Sequence, residues 1–420
     1  MTDLLRYRLV LPEAAEPYRR EIEFALDFVA EAYPIQRDAN AERRLFYGKD
    51  MPARFFPDAL RIEREGLYLD QAGFCKLTDF WPKAERGAFD YDAIGVIFFM
   101  LSRIEERDAK MKDRHGRFEP SGAAAVNAGL HDRAVADEAA ADIAAWLLGR
   151  RTAPQRSFEI LPTHDVDRLK RYHVWTEPLR HAAGDVLKRG APRSALRWLS
   201  FLKPGEPFGS MRAIMNASER FGLKSRFFMM GPSRHTMDSP YVLTMAGLLR
   251  RVGAEILARG HEIGFHPGYA TFDDPDEWRR QKKGLEEVLG VELRSGRQHV
   301  LRYRPDVTPR IWDEAGMEED FTLAFPGPSG FRNGTTASHR AYDLVHRRPM
   351  TMRQTATAVM DFGLFDARYR VLTLDQALDE ALSVAETVKR HRGRLVLLHH
   401  TGSFMRDAQE FYERLLEAVL

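Results

Sequence analysis

Cysteine is all but missing from this chain. Cys75 is the only one among 420 residues, which excludes an internal disulfide framework and suits a reducing compartment, with Cys75 read as a small core side chain. Long apolar runs are missing too. The longest, Ala93 to Leu101, spans nine residues, well short of the ~20 that a membrane helix needs, so no transmembrane segment is expected. The opening Met1-Thr-Asp-Leu-Leu-Arg-Tyr-Arg8 lacks the basic region, apolar stretch and small-residue cleavage site of an export signal, and cytoplasmic residence is the expectation. Nor is there an excess of one charge. Sixty-three Lys and Arg face 61 Asp and Glu, a net +2, which offers no global field to attract nucleic acid or an anionic membrane. Basic residues gather locally, in Arg168-Leu-Lys-Arg171 and between Lys188 and Arg197; solvated helix faces explain them, a patch for an acidic polymer being the alternative. There is no internal repeat or low-complexity tract.

What is present suits a folded protein with a deep core, since 44% of residues are apolar and 30% charged. The length exceeds what one core usually organises, so two domains are expected. Residues 1 to 150 read as a smaller mixed α/β domain, with a helix near Tyr18 to Ala32, short strands around Ala59 to Leu69, an apolar helix from Tyr91 to about Glu106 and an Ala-rich one ending near Leu148. Gly149 to Pro154 is the candidate linker. Residues 156 to 420 alternate strand and helix. Strands are expected at Phe158–Thr163, Ser225–Met230, Glu262–His266, Arg297–Tyr303, Phe321–Phe325 and Arg394–Leu398, with helices from Ser210, from Tyr241 and after a Thr373-x-x-Gln376 capping box. Such alternation predicts a mainly parallel sheet, either open or closed into an incomplete (β/α) barrel.

In folds of this class the reactive groups sit where strands end. Three distant segments put Asp or His at such ends: Thr163-His-Asp-Val-Asp167, His266, and His399-His400-Thr401. Asp165 and Asp167 could divide hydrolytic work, one binding a metal and the other taking a proton from water. His266 would supply an imidazole ligand, aimed by Pro267 and Gly268. His261 enters its strand rather than leaving it and reads as structural. Arg297 and Arg302 flank His299; either they fix an ionised base beside a metal, or this is a strand with one basic face. His399 suits a general acid, with His400 facing solvent. His173, His181, His235, His339, His346 and His391 read as ordinary core or surface histidines.

On these residues the sequence resembles the polysaccharide deacetylases, the nodulation-protein-B-like carbohydrate esterases. Thr163-His-Asp-Val-Asp167 is similar to the family's first motif, Gly260-His-Glu-Ile-Gly-Phe-His266 to its second, Arg297-Gln-His299 to its third and Leu397-Leu-His-His-Thr401 to its last. The resemblance implies a deacetylase-like distorted (β/α) barrel that removes an acetyl group from a sugar of a glycan or glycan precursor. It implies Asp165 as base, Arg297 as its orienting cation, His399 as acid, and a divalent metal, zinc with cobalt or nickel as alternatives, on Asp167 and His266. One departure stands out. The second metal His of the second motif is here Ala270, so either His299 is the third ligand, with His261 or His400 as alternatives, or the metal is held weakly or not at all. Tyr269, Arg302, Phe331 and Arg332 are the candidate sugar contacts, the last two in a Gly-rich loop. Phe98 to Glu106 and Gly330 to Thr335 mark a divergent bacterial subgroup with an added N-terminal domain. Two rival functions remain open: a metal-free amidohydrolase on the same fold, and a silent carbohydrate-binding protein.

Overall fold

A computed structural model describes residues 4–47, 60–62, 91–169, 209–402 and 406–420, with short stretches between 179 and 187. Cys75, His173, His181, the second basic cluster, Lys170 and Arg171 lie outside the described residues, as does most of the expected 59–69 strand region.

The N-terminal part holds a parallel sheet of order β2-β1-β3-β4, from β1 (Leu5–Val10), β2 (Ile35–Arg37), β3 (Arg44–Tyr47) and β4 (Leu60–Ile62). Three helices pack with it: α1 (Arg19–Ala32), α2 (Ala93–Ser102) and α3 (Val135–Leu148). Helix α2 is apolar all round because its neighbours enclose it; Ala93 to Ser102 are buried except Gly95, and the Asp92 side chain caps it through the Gly95 N–H.

The C-terminal part carries β5 (Glu159–Val166), β6 (Arg226–Met230), β7 (Glu262–His266), β8 (Ser295–Gly296), β9 (Glu319–Asp320), β10 (His339–Asp343), β11 (Arg348–Gln354), β12 (Val359–Met360) and β13 (Arg394–Leu398). Their order is β10-β11-β9-β8-β7-β6-β5-β13-β12, and all pairs but β10–β11 are parallel. β11 and β12 are one stretch of chain. Between them Thr355 and Thr357 N–H donate to Asp320 and Leu323 carbonyls, and Ala358 N–H donates to Val396 O. The segment thus pairs with β9 at its start and β13 at its end, and the sheet closes on itself. Helices α4 (Gly209–Arg220), α5 (Ala246–Ala258), α6 (Pro275–Leu289), α7 (Thr308–Glu314), α8 (Leu374–Arg390) and α9 (Arg406–Val419) accompany it. The expected (β/α) barrel is therefore present, and the Thr373–Gln376 capping box forms at the start of α8.

Gly296 shows why the chain needs glycine next to Arg297: a Cβ there would lie 2.1 Å from the Phe265 carbonyl oxygen. Two expected strands differ. Instead of a strand at Arg297–Tyr303, β8 stops at Gly296 and a 3₁₀ turn follows at His299–Leu301, with Val300 and Leu301 left-handed at φ 58° and 57°. Instead of Phe321–Phe325, the strand is Glu319–Asp320. The helix expected from Tyr241 breaks at Met245. The β10–β11 hairpin was not anticipated, and it crosses the expected boundary: Ala337 and Tyr342 pack in the N-terminal core, with Tyr342 4.8 Å from Phe24 and 5.1 Å from Phe98 between ring centres. Among the described residues no helix is long and apolar enough to cross a membrane.

Candidate active site

Strand parity decides which polar groups meet at the C-terminal mouth of the barrel. On β5, Thr163 and Asp165 point inward, whereas His164 points to the helix layer, its ring 5.9 Å from Tyr412 of α9. On leaving β13 the same alternation sends His399 outward, 5.5 Å from the same Tyr412, and His400 inward. The mouth is a cavity of about 460 Å³ lined by Asp165, Asp167, His266, His299 and His400.

Arg297 is the buried centre of this arrangement. Its Nη1 donates to Asp165 Oδ1 at 2.7 Å, its Nη2 to Thr163 and Thr357 hydroxyls, and its Nε to Phe321 O. One carboxylate oxygen of Asp165 is thereby fixed, and Oδ2 is left facing His266 Nε2 at 3.9 Å and His400 Nε2 at 4.0 Å.

Asp167, His266 and His299 form a second group, their ligand-capable atoms all within 4.8 Å of one another. Each imidazole has its Nδ1 engaged, His266 with Arg297 O at 2.5 Å and His299 with Asp238 Oδ1 at 2.6 Å, so both turn Nε2 toward Asp167, at 3.5 and 4.0 Å. Asp167 Oδ1 and His266 Nε2 are buried with no hydrogen-bond partner. Orphaned acceptors of this kind, converging as two imidazoles and one carboxylate, fit a divalent metal such as zinc with an open position, and the partners on Nδ1 are the supports such ligands normally have. Without an ion, burial, which alone would raise the Asp167 carboxyl, is outweighed by the histidines around it, and it is held well below the usual range. His266 is raised: burial works against its charge but loses to Asp165 and Asp167.

His400 has a carboxylate of its own. Asp361 Oδ1 accepts from its Nδ1 at 2.6 Å, Asp361 Oδ2 accepts its backbone N–H, and Phe362 stacks on the ring at 3.8 Å. Burial pulls its charged form down, but Asp361 and the more distant Asp167 and Asp165 prevail, and the imidazole is pushed up to about 9. Burial dominates at His399 and lowers it.

With this geometry in view, comparison with known proteins adds the following. Residues 27–151 match a family of unknown function (DUF7033). No curated protein matches. The solved structures similar to this chain include polysaccharide deacetylases. One, from Mycobacterium smegmatis and assigned as such, shares 18% identity at a TM-score of 0.42, covering 64% of this chain and 87% of that one. A polysaccharide deacetylase from Bacillus cereus shares 13% at 0.31, covering 62% and 86%. A CE4-family pseudoenzyme from Bacillus anthracis shares 12% at 0.30, covering 63% of this chain and 60% of its own.

The deacetylase resemblance had put the acid at His399 and sugar contacts at Phe331 and Arg332, and both expectations are corrected. His399 lies on the wrong side of its strand, and the group in the cavity is His400. Phe331 is a core side chain. Arg332 is buried against Glu106, with Nε to Oε1 at 2.9 Å and Nη2 to Oε2 at 2.5 Å, and Glu106 also binds Arg103 at 2.9 Å. That triad joins the N-terminal part to the barrel. Tyr269 and Arg302 lie beside the mouth; Arg302 stacks over the Tyr269 ring at 4.3 Å and donates to the Tyr269 carbonyl. His261 is structural, accepting from Ser225 N–H and contacting Glu219, and Ala270 is exposed. Asp238, Asp361, His115 and Arg117 also reach the site or its supports and were missed. For Asp361 a signal existed in principle, since it directly follows strand β12, whereas Asp238 lies eight residues past the end of β6.

Proposed function

We propose that this chain is a metal-dependent hydrolase that removes an acetyl group, from nitrogen or oxygen, on a sugar of a glycan or glycan precursor. One observation carries the reading: the orphaned Asp167 Oδ1 and His266 Nε2 converge with His299 beside an Arg297-held Asp165. A divalent metal on Asp167, His266 and His299, zinc being the first candidate, would supply Lewis acidity that polarises an acyl carbonyl and acidifies water.

The chain's own groups supply the proton transfers. Asp165, with Oδ1 tied to Arg297, offers Oδ2 to take a proton from water as its oxygen adds to the acyl carbon. The bond from carbon to nitrogen or oxygen then breaks, and His400, charged at neutral pH, gives its proton to the departing sugar amine or alkoxide. Met230, Met360, Phe362 and Leu398 supply apolar wall to the cavity, which suits the methyl of an acetyl group and the faces of a sugar ring. A cytoplasmic setting with a precursor glycan as substrate belongs to the proposal.

The test is metal content by plasma mass spectrometry and acetate release from N-acetylated oligosaccharides, for the wild type and His299→Ala. About one equivalent of metal, lost in the variant together with activity, is the expected result. Acetate release that survives chelation would move the assignment to a metal-free amidohydrolase, and sugar binding without release, unaltered in Asp165→Asn, to a binding protein.

A further inference from the structure

Among the described residues before 151 none belongs to the proposed catalytic or metal-holding groups, yet one loop there reaches the cavity. Lys112 and Phe118 bridge across a tight turn closed by Asp113, whose Oδ1 accepts from the His115 and Arg117 N–H groups. Arg117 and His115 line the mouth of the barrel. Arg117 is 4% exposed; its Nε donates to Asp113 at 2.7 Å, its Nη1 to Val300 O at 3.1 Å and its Nη2 to the Tyr369 hydroxyl at 3.2 Å. Arg302 answers from the other side, its Nε donating to His115 O at 2.8 Å.

Val300 is the unusual residue here. It is β-branched, it directly follows His299, and it sits at φ 58° with Leu301 beside it at φ 57°, a region such side chains rarely enter and hold only where their surroundings impose it. Residues before Val300 are fixed by the barrel: His299 N–H donates to Pro267 O, and the Gln298 amide donates to Gly268 O and the Thr271 hydroxyl. The Val300 carbonyl is held from the N-terminal part, by Arg117.

We propose that the 112–118 loop is a working part of the site, with Arg117 a positioning residue that holds the left-handed turn and so keeps His299 Nε2 turned toward Asp167. The inference rests on the ligand role proposed for His299. It assigns the N-terminal region a function in forming the metal centre.

Arg117→Met, Val300→Gly and the double variant separate this from a merely structural contact. Two quantities are read: hydrogen exchange of peptides spanning 298–303 in metal-stripped protein, and zinc affinity by competition with a chelating dye. Arg117→Met should speed exchange there and weaken zinc about 10–100-fold, the scale seen when a ligand's outer support is lost. Adding Val300→Gly should restore both, because glycine takes positive φ without steric cost. Wild-type exchange in Arg117→Met, faster exchange with unchanged zinc affinity, or failure of the glycine to rescue would each overturn the proposal. If wild-type protein binds no zinc, the ligand role fails, while exchange and its rescue still decide whether Arg117 holds the turn. Should Arg117→Met not fold, Arg117→Gln serves in the same comparisons.

Discussion

Asp361→Asn tests the electrostatics of the cavity most directly. The wild-type His400 imidazole stands at about 9 against an ordinary 6.5, because Asp361 outweighs burial. That gap corresponds to about 3 kcal/mol favouring the charged form. Asparagine keeps an oxygen for the Nδ1–H but removes the charge. Burial then faces only Asp165 and Asp167, with Asp165 Oδ2 4.0 Å from the ring nitrogen, and His400 should titrate below 6.5. NMR of the imidazole in metal-stripped protein reads this directly: at pH 7.5 the wild-type ring is charged and the variant's mostly neutral. Stability carries the same sign. A pKa raised on folding contributes stability that is fully present below 6.5 and lost as pH rises through about 9, so between those values the wild type should weaken by up to about 3 kcal/mol more than the variant, the raised His266 contributing to both. His400 titrating near 6.5 in both proteins would refute the reasoning.

Two further changes check other parts of the structure. His400→Gln should lower acetate release by about 10²–10⁴-fold, the usual worth of a positioned acid, whereas His399→Gln should leave turnover within a few-fold of wild type; the reverse order would return the acid role to His399. Glu106→Gln leaves Arg103 and Arg332 buried without their shared carboxylate and should cost about 3–5 kcal/mol in chemical denaturation; a loss below about 1 kcal/mol would mean that Glu105, 2.5 Å from Arg103, suffices.

The barrel was legible because short apolar strands alternate with amphipathic helices and their stops along residues 156–420, and strands Glu262–His266 and Arg394–Leu398 fell where that alternation put them. Asp165, Asp167 and His266 were legible for the same reason, being strand-end residues. Where the chain leaves regular structure, pattern fails. At His299–Leu301 the residues read as a strand, because a left-handed valine has no signature in sequence. His399 and His400 are adjacent, and choosing between them requires knowing on which residue the strand parity ends. Asp238 lies in a loop whose polarity reads as ordinary turn chemistry and Asp361 opens a short helix, and their roles appear only when a histidine from 61 or 39 residues away meets them. The N-terminal loop was invisible because its partner Val300 lies 183 residues further on.

The hairpin that follows the Gly-rich loop ties the fate of the two regions together. Strand β10 pairs with β11 on one side and ends the hydrogen-bonded order of the large sheet, and its Tyr342 is packed under Phe24 and Phe98. A fragment cut at residue 151 would bare the Tyr342 aromatic side chain on a strand that already ends the sheet, the combination that recruits neighbouring chains into intermolecular sheets. Excising the barrel for separate study therefore invites self-association, and a recombination event at that boundary would hand the barrel to a new partner without the surface it needs to stay in solution.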